Sequence, residues 1–390
     1  MDDFLHGVET IKVASDIGDI STVKTSVIGL VGTSATGDIN KLKLCMSSTD
    51  DAQFGSVAST GTIAPSLRDI RKQHPTALVF VINLSTTDTV VQSDFDGKVN
   101  VDGTKTGIKL FEDCRMLYGF APKIFISPKY CETATISKSL RDLATKYRGV
   151  TYLDCDDSMT YATALTSRGV SGIFNFSDSR TKIFFPKIFD TEGVKRGYSA
   201  FAAGLRSKID NDPQKGFWWS SSNNNVEGIS KLAVSISWDL SQKDCEANKL
   251  NENGITTIVN VYGSGFREWG NRSSAFPTDE TASSFLCVQR VEDITSESIE
   301  KASLQFIDRP MTQAQIDLVT NTVCGYFNSL IARNALLTGS TCIFEKSRNT
   351  VAEMKKGHYI WTKIFMPPVP GERITYLSKL DTNLLQTLIA

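Results

Sequence analysis

The chain has 390 residues, of which 41% are hydrophobic and 22% charged, a composition typical of soluble globular proteins with sizeable cores. Its 42 Lys and Arg residues nearly balance 43 Asp and Glu residues, and the resulting net charge of −1 suits association between copies. This balance excludes the broad basic surface of a sequence-independent nucleic-acid binder, and no apolar run reaches the roughly 18 residues needed for stable membrane insertion.

The first 24 residues do not have the pattern of a closed core. Residues 8–14, VETIKVA, alternate in the way a short strand does, and a polar spacer follows them. A lone terminal strand needs a partner, either in its own sheet or in another molecule. We therefore predict an N-terminal arm over residues 1–24.

Residues 25–198 alternate between strand and helix patterns, which predicts an outer α/β domain with a largely parallel sheet. The predicted strands are 27–32, 77–84, 123–128, 150–156 and 172–178. The predicted helices are 63–74, 107–119, 136–149 and 158–168.

Residues 199–368 form the second predicted unit, a core domain of mixed helices and strands. Helices are predicted near 241–253, over 294–307 and over 313–337, and strands over 255–262, 285–294 and 358–366. Helix 313–337 has a continuous apolar stripe, and Thr312 with Gln315 predicts a capping box at its start.

Prolines then interrupt the chain at PPVPG, residues 367–371. ERITYLSKL, residues 372–380, reads as a second terminal strand, and an apolar turn or short helix closes the chain. We predict a C-terminal arm over residues 369–390, so that an extended segment stands at each end.

Patterns of catalytic or ligand-binding chemistry are weak. GLVGTSATGD, residues 29–38, follows a strand as a phosphate loop would, but Asp38 replaces the lysine that reaches the phosphates. The acidic cluster at 154–157 is more often a solvated strand end that caps a helix than a cation site. The three histidines share no motif: His6, His74 and His358. We predict no catalytic residue, no cofactor and no metal.

Eight cysteines are scattered along the chain without a C-x-x-C pair. We interpret them as reduced, small core residues of a protein assembled in the cytoplasm, since neither a disulfide framework nor a signal peptide is indicated.

The most unusual stretches are GFWWSSSNNN, residues 216–225, and GITTIVNVYGSGFREWGNRS, residues 254–273. Tryptophan-rich loops can stack sugars or bases, but core or subunit contacts are the commoner role. Arg267 and Arg272 flank Glu268 and Trp269, which predicts a partly buried polar network that fixes the loop.

In order and spacing these stretches resemble the contractile tail sheath proteins of P2-like bacteriophages and R-type pyocins. The V-x-R of Val288–Arg290 and the terminal strand–proline–strand layout share the resemblance. The matching core residues are Gly216, Phe217, Trp218, Ser220, Asn223, Trp269, Gly270, Asn271 and Arg272.

The resemblance implies a two-domain α/β sheath fold and a structural role rather than an enzyme. Such subunits form homo-oligomeric stacked hexameric rings, or a six-start helix, around an inner tail tube protein, between the baseplate and the tail terminator. Contraction drives the tube through the bacterial envelope. The expected location is the virion tail, assembled in the host bacterial cytoplasm.

The same resemblance implies that both arms exchange strands between subunits. The arm residues expected to do so are Val8, Ile11, Val13, Arg373, Ile374, Tyr376 and Leu377. The helix expected to face the tube is 313–337, with candidate contacts at Asp317, Asn321, Asn328 and Arg333. Two alternatives stay open: an α/β nucleotide- or sugar-binding enzyme, and a subunit of the paired-chain sheath of a type VI secretion apparatus.

Overall fold

The computed structural model describes residues 19–57 and 60–388. Val8, Ile11 and Val13 of the predicted N-terminal arm lie outside the described residues.

The strands are β1 Ile28–Gly32, β2 Leu42–Cys45, β3 Val79–Asn83, β4 Ile124–Ile126, β5 Val150–Asp154, β6 Thr181–Phe184, β7 Ile188–Asp190, β8 Lys195–Arg196, β9 Ile229–Leu232, β10 Ile255–Asn260, β11 Phe266–Trp269, β12 Thr341–Ile343 and β13 Thr362–Ile364. The α-helices are α1 Ser48–Asp51, α2 Ile63–Gln73, α3 Gln92–Asp96, α4 Cys114–Tyr118, α5 Ala134–Tyr147, α6 Tyr161–Thr166, α7 Ser199–Asp210, α8 Glu246–Glu252, α9 Leu286–Ser303, α10 Gln313–Ala332 and α11 Val351–Met354.

The central feature is an eight-stranded sheet, in the order β11-β10-β6-β5-β4-β1-β3-β2 within the described residues. Its six inner strands pair in parallel, and the edge strands β2 and β11 are antiparallel. The inner strands are apolar runs because helices cover both faces of the sheet. The predicted parallel α/β sheet is confirmed.

Helices lie on both faces of this sheet. Ile28 and Leu30 of β1 belong to the apolar cluster that contains residues of α2 and α7. Val31, one residue further on, belongs to the opposite cluster, which contains Leu140 and Ala144 of α5. The alternation along β1 therefore divides the core into two layers, as in doubly wound folds.

A third apolar cluster lies away from the sheet. It joins Phe217 and Trp218 to Val291 of α9 and to Val323 and Phe327 of α10. The predicted apolar stripe of helix 313–337 is confirmed, although the helix ends at Ala332. Thr312 accepts a hydrogen bond from the Gln315 N–H at 3.4 Å, which caps the helix. The predicted capping box is incomplete, because the Thr312 N–H donates to the Pro310 carbonyl and Gln315 Oε1 is buried without a partner among the described residues.

The predicted boundary between the outer and core domains falls within one continuous sheet. β10 and β11 lie in the predicted core domain, 199–368, yet β10 pairs in parallel with β6 of the predicted outer domain, 25–198. The division into these two domains stays a prediction, and the large sheet spans it.

Two predicted strands are wrong. Residues 285–294 belong to helix α9, in which Cys287, Val291 and Ile294 are buried at helical spacing. Residues 172–178 form turns and irregular structure, and the strand of this region is β6, in which all four residues are buried.

Arg168 connects three separate segments of chain around the end of the sheet. Its guanidinium donates hydrogen bonds to the carbonyls of Phe174, Phe176, Asn253, Ser274 and Phe276, at 2.6–3.1 Å. These bonds use all five of its N–H groups. Burial lowers the pKa of Arg168 to about 10, so the side chain remains charged at neutral pH.

We expect Arg168→Met to lower the free energy of unfolding by about 2–4 kcal/mol, because it leaves several carbonyls without donors. Urea denaturation followed by circular dichroism measures the loss. Arg348→Met is the matched control, since Arg348 is 60% exposed and, within the part of the chain that the structure describes, pairs only with Glu345 three residues earlier. We expect the control to change stability by less than about 0.5 kcal/mol. An equal effect of both substitutions would show that the carbonyl contacts are unimportant.

Candidate functional site

The crevice where a doubly wound fold binds ligands is filled by the chain itself. β1 has β3 on one side and β4 on the other, so the carboxyl end of β1 is the topological switch point. There the Tyr130 hydroxyl lies 2.8 Å from Thr33 Oγ1 and donates to Asp88 Oδ1 at 3.2 Å. Lys129 forms an ion pair with Asp88. Burial raises the pKa of Tyr130 to about 12, so its hydroxyl remains protonated at neutral pH and occupies the crevice as an uncharged group.

The loop that resembles a phosphate loop has its polar groups engaged within the chain. The Asn83 carboxamide accepts from the Ser34 N–H at 2.9 Å and donates to the Ser34 carbonyl at 3.1 Å. Ser34 Oγ donates to the Phe54 carbonyl at 2.7 Å. Asp38 pairs with Lys43 at 3.0 Å, and this bond lowers the pKa of Asp38. The loop is therefore a packed turn rather than an open anion cradle.

The acidic cluster at 154–157 is dispersed. Asp154 is buried and accepts from the Ser199 N–H at 2.8 Å and from Ser199 Oγ at 2.5 Å, at the start of α7. Burial raises the pKa of Asp154. Asp156 accepts from Ser158, and Asp157 pairs with Lys195. The predicted capping of the next helix by the last carboxylates of this cluster is wrong: Thr160 caps α6, and Asp154, the first carboxylate of the cluster, caps α7.

The two unusual sequence stretches meet side by side. The backbone N–H of Asn223 donates to the Glu268 carbonyl at 2.6 Å, and the N–H of Glu268 donates to the Asn224 carbonyl at 3.3 Å. Further along, the Gly270 N–H donates to Ser222 Oγ at 3.0 Å. Residues 222–226 thus run along the outer edge of β11. We call residues 216–226 together with residues 266–270 the loop–strand clasp.

A buried ion pair lies beneath the loop–strand clasp. Lys182 Nζ of β6 lies 2.5 Å from Glu268 Oε1 of β11, and both side chains are 1% exposed. Ser221 Oγ donates to the same carboxylate at 2.6 Å, and the Tyr198 hydroxyl donates to it at 3.2 Å. Burial and the adjacent carboxylate raise the pKa of Tyr198 well above its usual range. The Glu268 carboxylate therefore ties the clasp to the large sheet.

A second buried charge cluster holds the start of the clasp. Arg206 donates to the carbonyls of Trp219 at 2.6 Å and Gly216 at 3.1 Å. It also binds Asp210 at 2.8 Å, and Asp210 pairs in turn with Arg290 of the V-x-R motif. Each positive charge thus has a carboxylate partner, which a buried guanidinium requires.

Gly216 is required by the backbone and by the packing. Its φ is +104°, and a Cβ there would lie 2.4 Å from the Trp218 ring. Gly270, with φ +139°, would bring a Cβ within 2.7 Å of Asn251 Oδ1. These two glycines therefore stand at the two ends of the clasp where no side chain fits.

The aromatic residues of the clasp divide between core and surface. Phe217 and Trp218 are buried, with their rings 5.2 Å apart, and Arg333 stacks on Trp218. Trp219 is 45% exposed. Trp269 is half-buried, with its ring 5.4 Å from that of Trp238. No open aromatic platform appears among the described residues of the clasp.

The remaining motif residues hold backbone. The Ser220 carbonyl accepts from Asn224, the Asn223 carboxamide accepts from Arg267, and the Asn271 carbonyl accepts from the Leu286 N–H. Arg272 instead reaches out of the clasp: it donates to Ser284 Oγ and to the Glu372 carboxylate. Arg267 and Glu268 bind residues of the Trp-rich loop as predicted, whereas Arg272 does not, and Glu268 is more deeply buried than expected.

Residues predicted to contact other molecules lie on the surface. Asp317, Asn321 and Asn328 occupy the exposed face of α10, and Arg333 lies exposed just after its end. The C-terminal arm residues are also exposed: Arg373, Ile374, Tyr376 and Leu377. The apolar ones are 73%, 86% and 94% exposed respectively.

Sequence reasoning missed most partners of the motif residues. Lys182, Tyr198 and Ser221 around Glu268, and Arg206 with Asp210, were not among the candidates. The sequence does contain one signal for them, a single basic residue within an otherwise apolar segment. Lys182 in TKIFF and Arg206 in FAAGLR are examples.

Within the described ranges, no helix is long and apolar enough to span a bilayer, and no group of three or more His, Cys, Asp or Glu residues is placed to hold a metal ion.

A family profile described as the phage tail sheath protein central domain matches residues 103–274. The tail sheath protein of Burkholderia phage BcepMu is 31% identical to this chain, over 99% of this chain and 98% of that protein. This chain belongs to the tail sheath protein family. The tail sheath protein of Escherichia phage P2 is 26% identical over 100% of this sheath protein and 98% of its own length.

Solved structures agree on the fold. The helical sheath of the anti-feeding prophage in its contracted state has a TM-score of 0.72 at 19% identity, covering 97% of this chain and 100% of that chain. The sheath complex of the PVC extracellular contractile injection system, also contracted, has a TM-score of 0.72 at 13% identity, covering 98% and 100%. This sheath protein therefore has the fold of contractile sheath subunits.

The buried pair makes a prediction about stability. We expect Lys182→Met and Glu268→Gln each to cost about 3–5 kcal/mol, because each leaves an unpaired buried partner. The double variant is expected to cost clearly less than the sum of the two. Urea midpoints of the four proteins measure the coupling. Strict additivity would contradict the role of the pair in fixing the clasp.

Proposed function

We propose that this sheath protein is the structural, non-enzymatic subunit of a contractile phage tail or tail-derived particle. Its copies stack as hexameric rings, or equivalently a six-start helix, around an inner tail tube, between a baseplate and a tail terminator. Shortening of this polymer drives the tube through a bacterial envelope. Family membership and the contractile-sheath fold support the proposal, and we expect assembly in the host cytoplasm and residence in the virion tail.

The observation that carries the proposal is the C-terminal arm. From residue 371 to residue 388 every residue is exposed. Leu380 is 97% exposed and Leu388 is 79% exposed, in addition to the arm residues already described. Residues 365–381 have no helix, strand or turn within this chain. So many exposed apolar side chains in one segment indicate a surface that another molecule covers.

The edge that we propose as the receiver of the arm lies on β13. β12 pairs antiparallel with β13, with Cys342 opposite Lys363. The Cys342 N–H donates to Cys324 Sγ at 3.4 Å, and the same thiol contacts the Cys342 carbonyl, so the Cys342 main chain points towards α10. In an antiparallel ladder, opposite residues point their main-chain groups either both inward or both outward. The Lys363 main chain therefore points to the outer edge of β13.

This geometry supports head-to-tail strand addition. The arm of one copy, with Ile374 and Tyr376 on one side of the predicted strand, pairs with the β13 edge of the next copy. Because arm and edge are different surfaces, the contact need not close on itself and generates rings and helices. We propose the same kind of exchange for the N-terminal strand with Val8, Ile11 and Val13.

The rest of the fold fits a mechanical role. Main-chain bonds of an added strand tolerate rotation of the bodies that they connect when flexible linkers intervene. A kinetically trapped long form would contract without bound fuel. We place the exposed face of α10, with Asp317, Asn321 and Asn328, against the inner tube. Polar side chains on that face suit a contact that must slide or release.

Lys363→Pro is expected to abolish long tubes in negative-stain images, because proline removes the outward N–H that an added strand needs. Lys363→Ala is the matched control: it loses the same side-chain bond to Ser296 but keeps the N–H, and it is expected to form tubes. Tubes of normal length from the proline variant would refute β13 as the receiving edge.

Removing residues 1–14 is expected to leave a folded chain that forms no long tubes. Circular dichroism checks the fold and electron microscopy checks the polymer. Normal tubes from the truncated chain would refute the N-terminal exchange. Tubes formed by the intact chain alone would also separate this function from that of a sheath built from two different chains.

A further inference from the structure

The C-terminal arm leaves the body through a single polar contact. Pro367 is buried, and every residue from 371 to 388 is exposed. Among the described residues of the arm, Glu372 alone makes a side-chain bond to the body, and its partner is Arg272. The direction in which the arm departs is thus set at one position.

The Arg272 side of this contact is built to be rigid. Arg272 is 15% exposed, and its Nη1 donates to Ser284 Oγ at 2.6 Å. Its guanidinium lies 3.8 Å from the centre of the Phe285 ring and 4.7 Å from that of Phe276. Stacking and hydrogen bonding fix the orientation of the guanidinium even when Glu372 is not bound to it. Less conformational entropy is therefore lost when the ion pair forms.

The geometry of the pair is bidentate. Arg272 Nε lies 3.1 Å from Glu372 Oε1, and Arg272 Nη2 lies 2.7 Å from Oε2. Two parallel bonds define an orientation as well as a distance, which a single lysine bond does not. The carboxylate is 45% exposed, so the pair can open at modest cost.

Within the described residues, the preceding linker, residues 367–371, makes no hydrogen bond or ion pair with the body. Pro367, Pro368 and Pro370 have no N–H to donate, and they make the linker stiff and extended. Gly371 stands between these prolines and Glu372, and a Cβ there would meet nothing within 4 Å. The backbone of a glycine also has access to a wider range of φ and ψ than that of any other residue, so Gly371 can turn the chain once the ion pair is open.

We propose that Arg272 is a positioning residue for the C-terminal arm, and that Gly371 is the pivot about which the arm turns when the Arg272–Glu372 pair opens. When the ion pair is formed, it holds the arm in the direction of one neighbouring copy. When the ion pair is broken, the arm can stay attached to that neighbour while the two bodies rotate relative to each other. This inference rests on the proposed strand exchange, because the aim of the arm matters only if the arm reaches another copy.

Trypsin cleavage of the dispersed full-length chain tests the pair. Cleavage after Arg373 requires the arm to leave Arg272, whereas cleavage after Lys379 lies beyond the contact and serves as the internal control. We expect Arg272→Lys to raise the rate after Arg373 by about two- to fivefold, the range of a surface ion pair, with no change after Lys379 or in Tm. Arg267→Lys, in β11 and with its side-chain bond to Asn223 rather than to the arm, is expected to leave both rates unchanged.

Salt gives an independent readout. At about 0.5 M NaCl the wild-type rate after Arg373 is expected to approach that of Arg272→Lys, whose own rate changes less. If Arg272→Lys lowers Tm, the variant Glu372→Gln is used in its place. Residue 372 lies next to the cleaved bond, so the cleavage rate of this variant is divided by the rate of a free peptide of residues 368–380 with the same substitution. Wild-type rates after Arg373 in both variants, or an equal rise after Arg373 and Lys379, would overturn the inference.

Deletion of residues 371–390 separates this inference from the proposed function. If the deleted chain still forms tubes while Arg272→Lys accelerates cleavage, the arm exchange fails and the positioning contact stands. If the deletion abolishes tubes while Arg272→Lys has no effect on cleavage, the positioning contact alone fails.

Discussion

The Glu268 carboxylate is the contact on which the body of this protein depends. It meets Lys182 from the large sheet, Ser221 from the Trp-rich loop and Tyr198 from the start of α7, all without access to water. A buried carboxylate with three donors specifies one arrangement, because any other leaves a charge unpaired. The contact thus connects β6 and β11 to the loop that supports the third core cluster.

A rigid body makes mobile ends useful. α9 is attached beside the sheet by partly buried charge pairs, of Asp293 with Arg180 just before β6 and of Glu297 with Lys123 just before β4. Desolvation lowers the pKa of Lys123 in this contact. Together with the apolar core these pairs let the body move as one unit. The exposed arm, in contrast, has almost no contacts of its own and is free to follow a neighbour. Force applied to one body would pass to the next through arm and edge.

Much of the fold could be predicted from the sequence, because buried strands and amphipathic helices have clear periodicity. β1, β3, β4 and β5 were predicted as apolar runs between helices, and α5 and α10 from their stripes. The same rules failed where a charge is buried. β6 was missed because Lys182 reads as a surface residue. The start of α9 was predicted as a strand because Arg290, inward-facing and paired with Asp210, interrupts the apolar helical stripe.

The candidate site shows the same division. Family motifs located residues 216–225 and 266–272, since both stretches are unusual in composition. Their partners, Arg206 and Tyr198, come from a helix whose sequence is otherwise ordinary. Partnership between distant residues depends on tertiary packing, and one sequence contains no direct signal for it. The arms were predicted for the opposite reason: strand patterns at chain ends lack a local partner. Residues 371–388 are exposed, as a C-terminal arm requires, and the N-terminal arm stays a prediction.

The central claim is that the chain ends complete β-structure in adjoining copies. A cryo-electron microscopy reconstruction of assembled tubes, at a resolution that separates strands, tests this most directly at the outer edge of β13. The account predicts density for residues 372–380 of a neighbouring copy beside Lys363. An empty edge, or both arms folded back onto their own protomer, would contradict it.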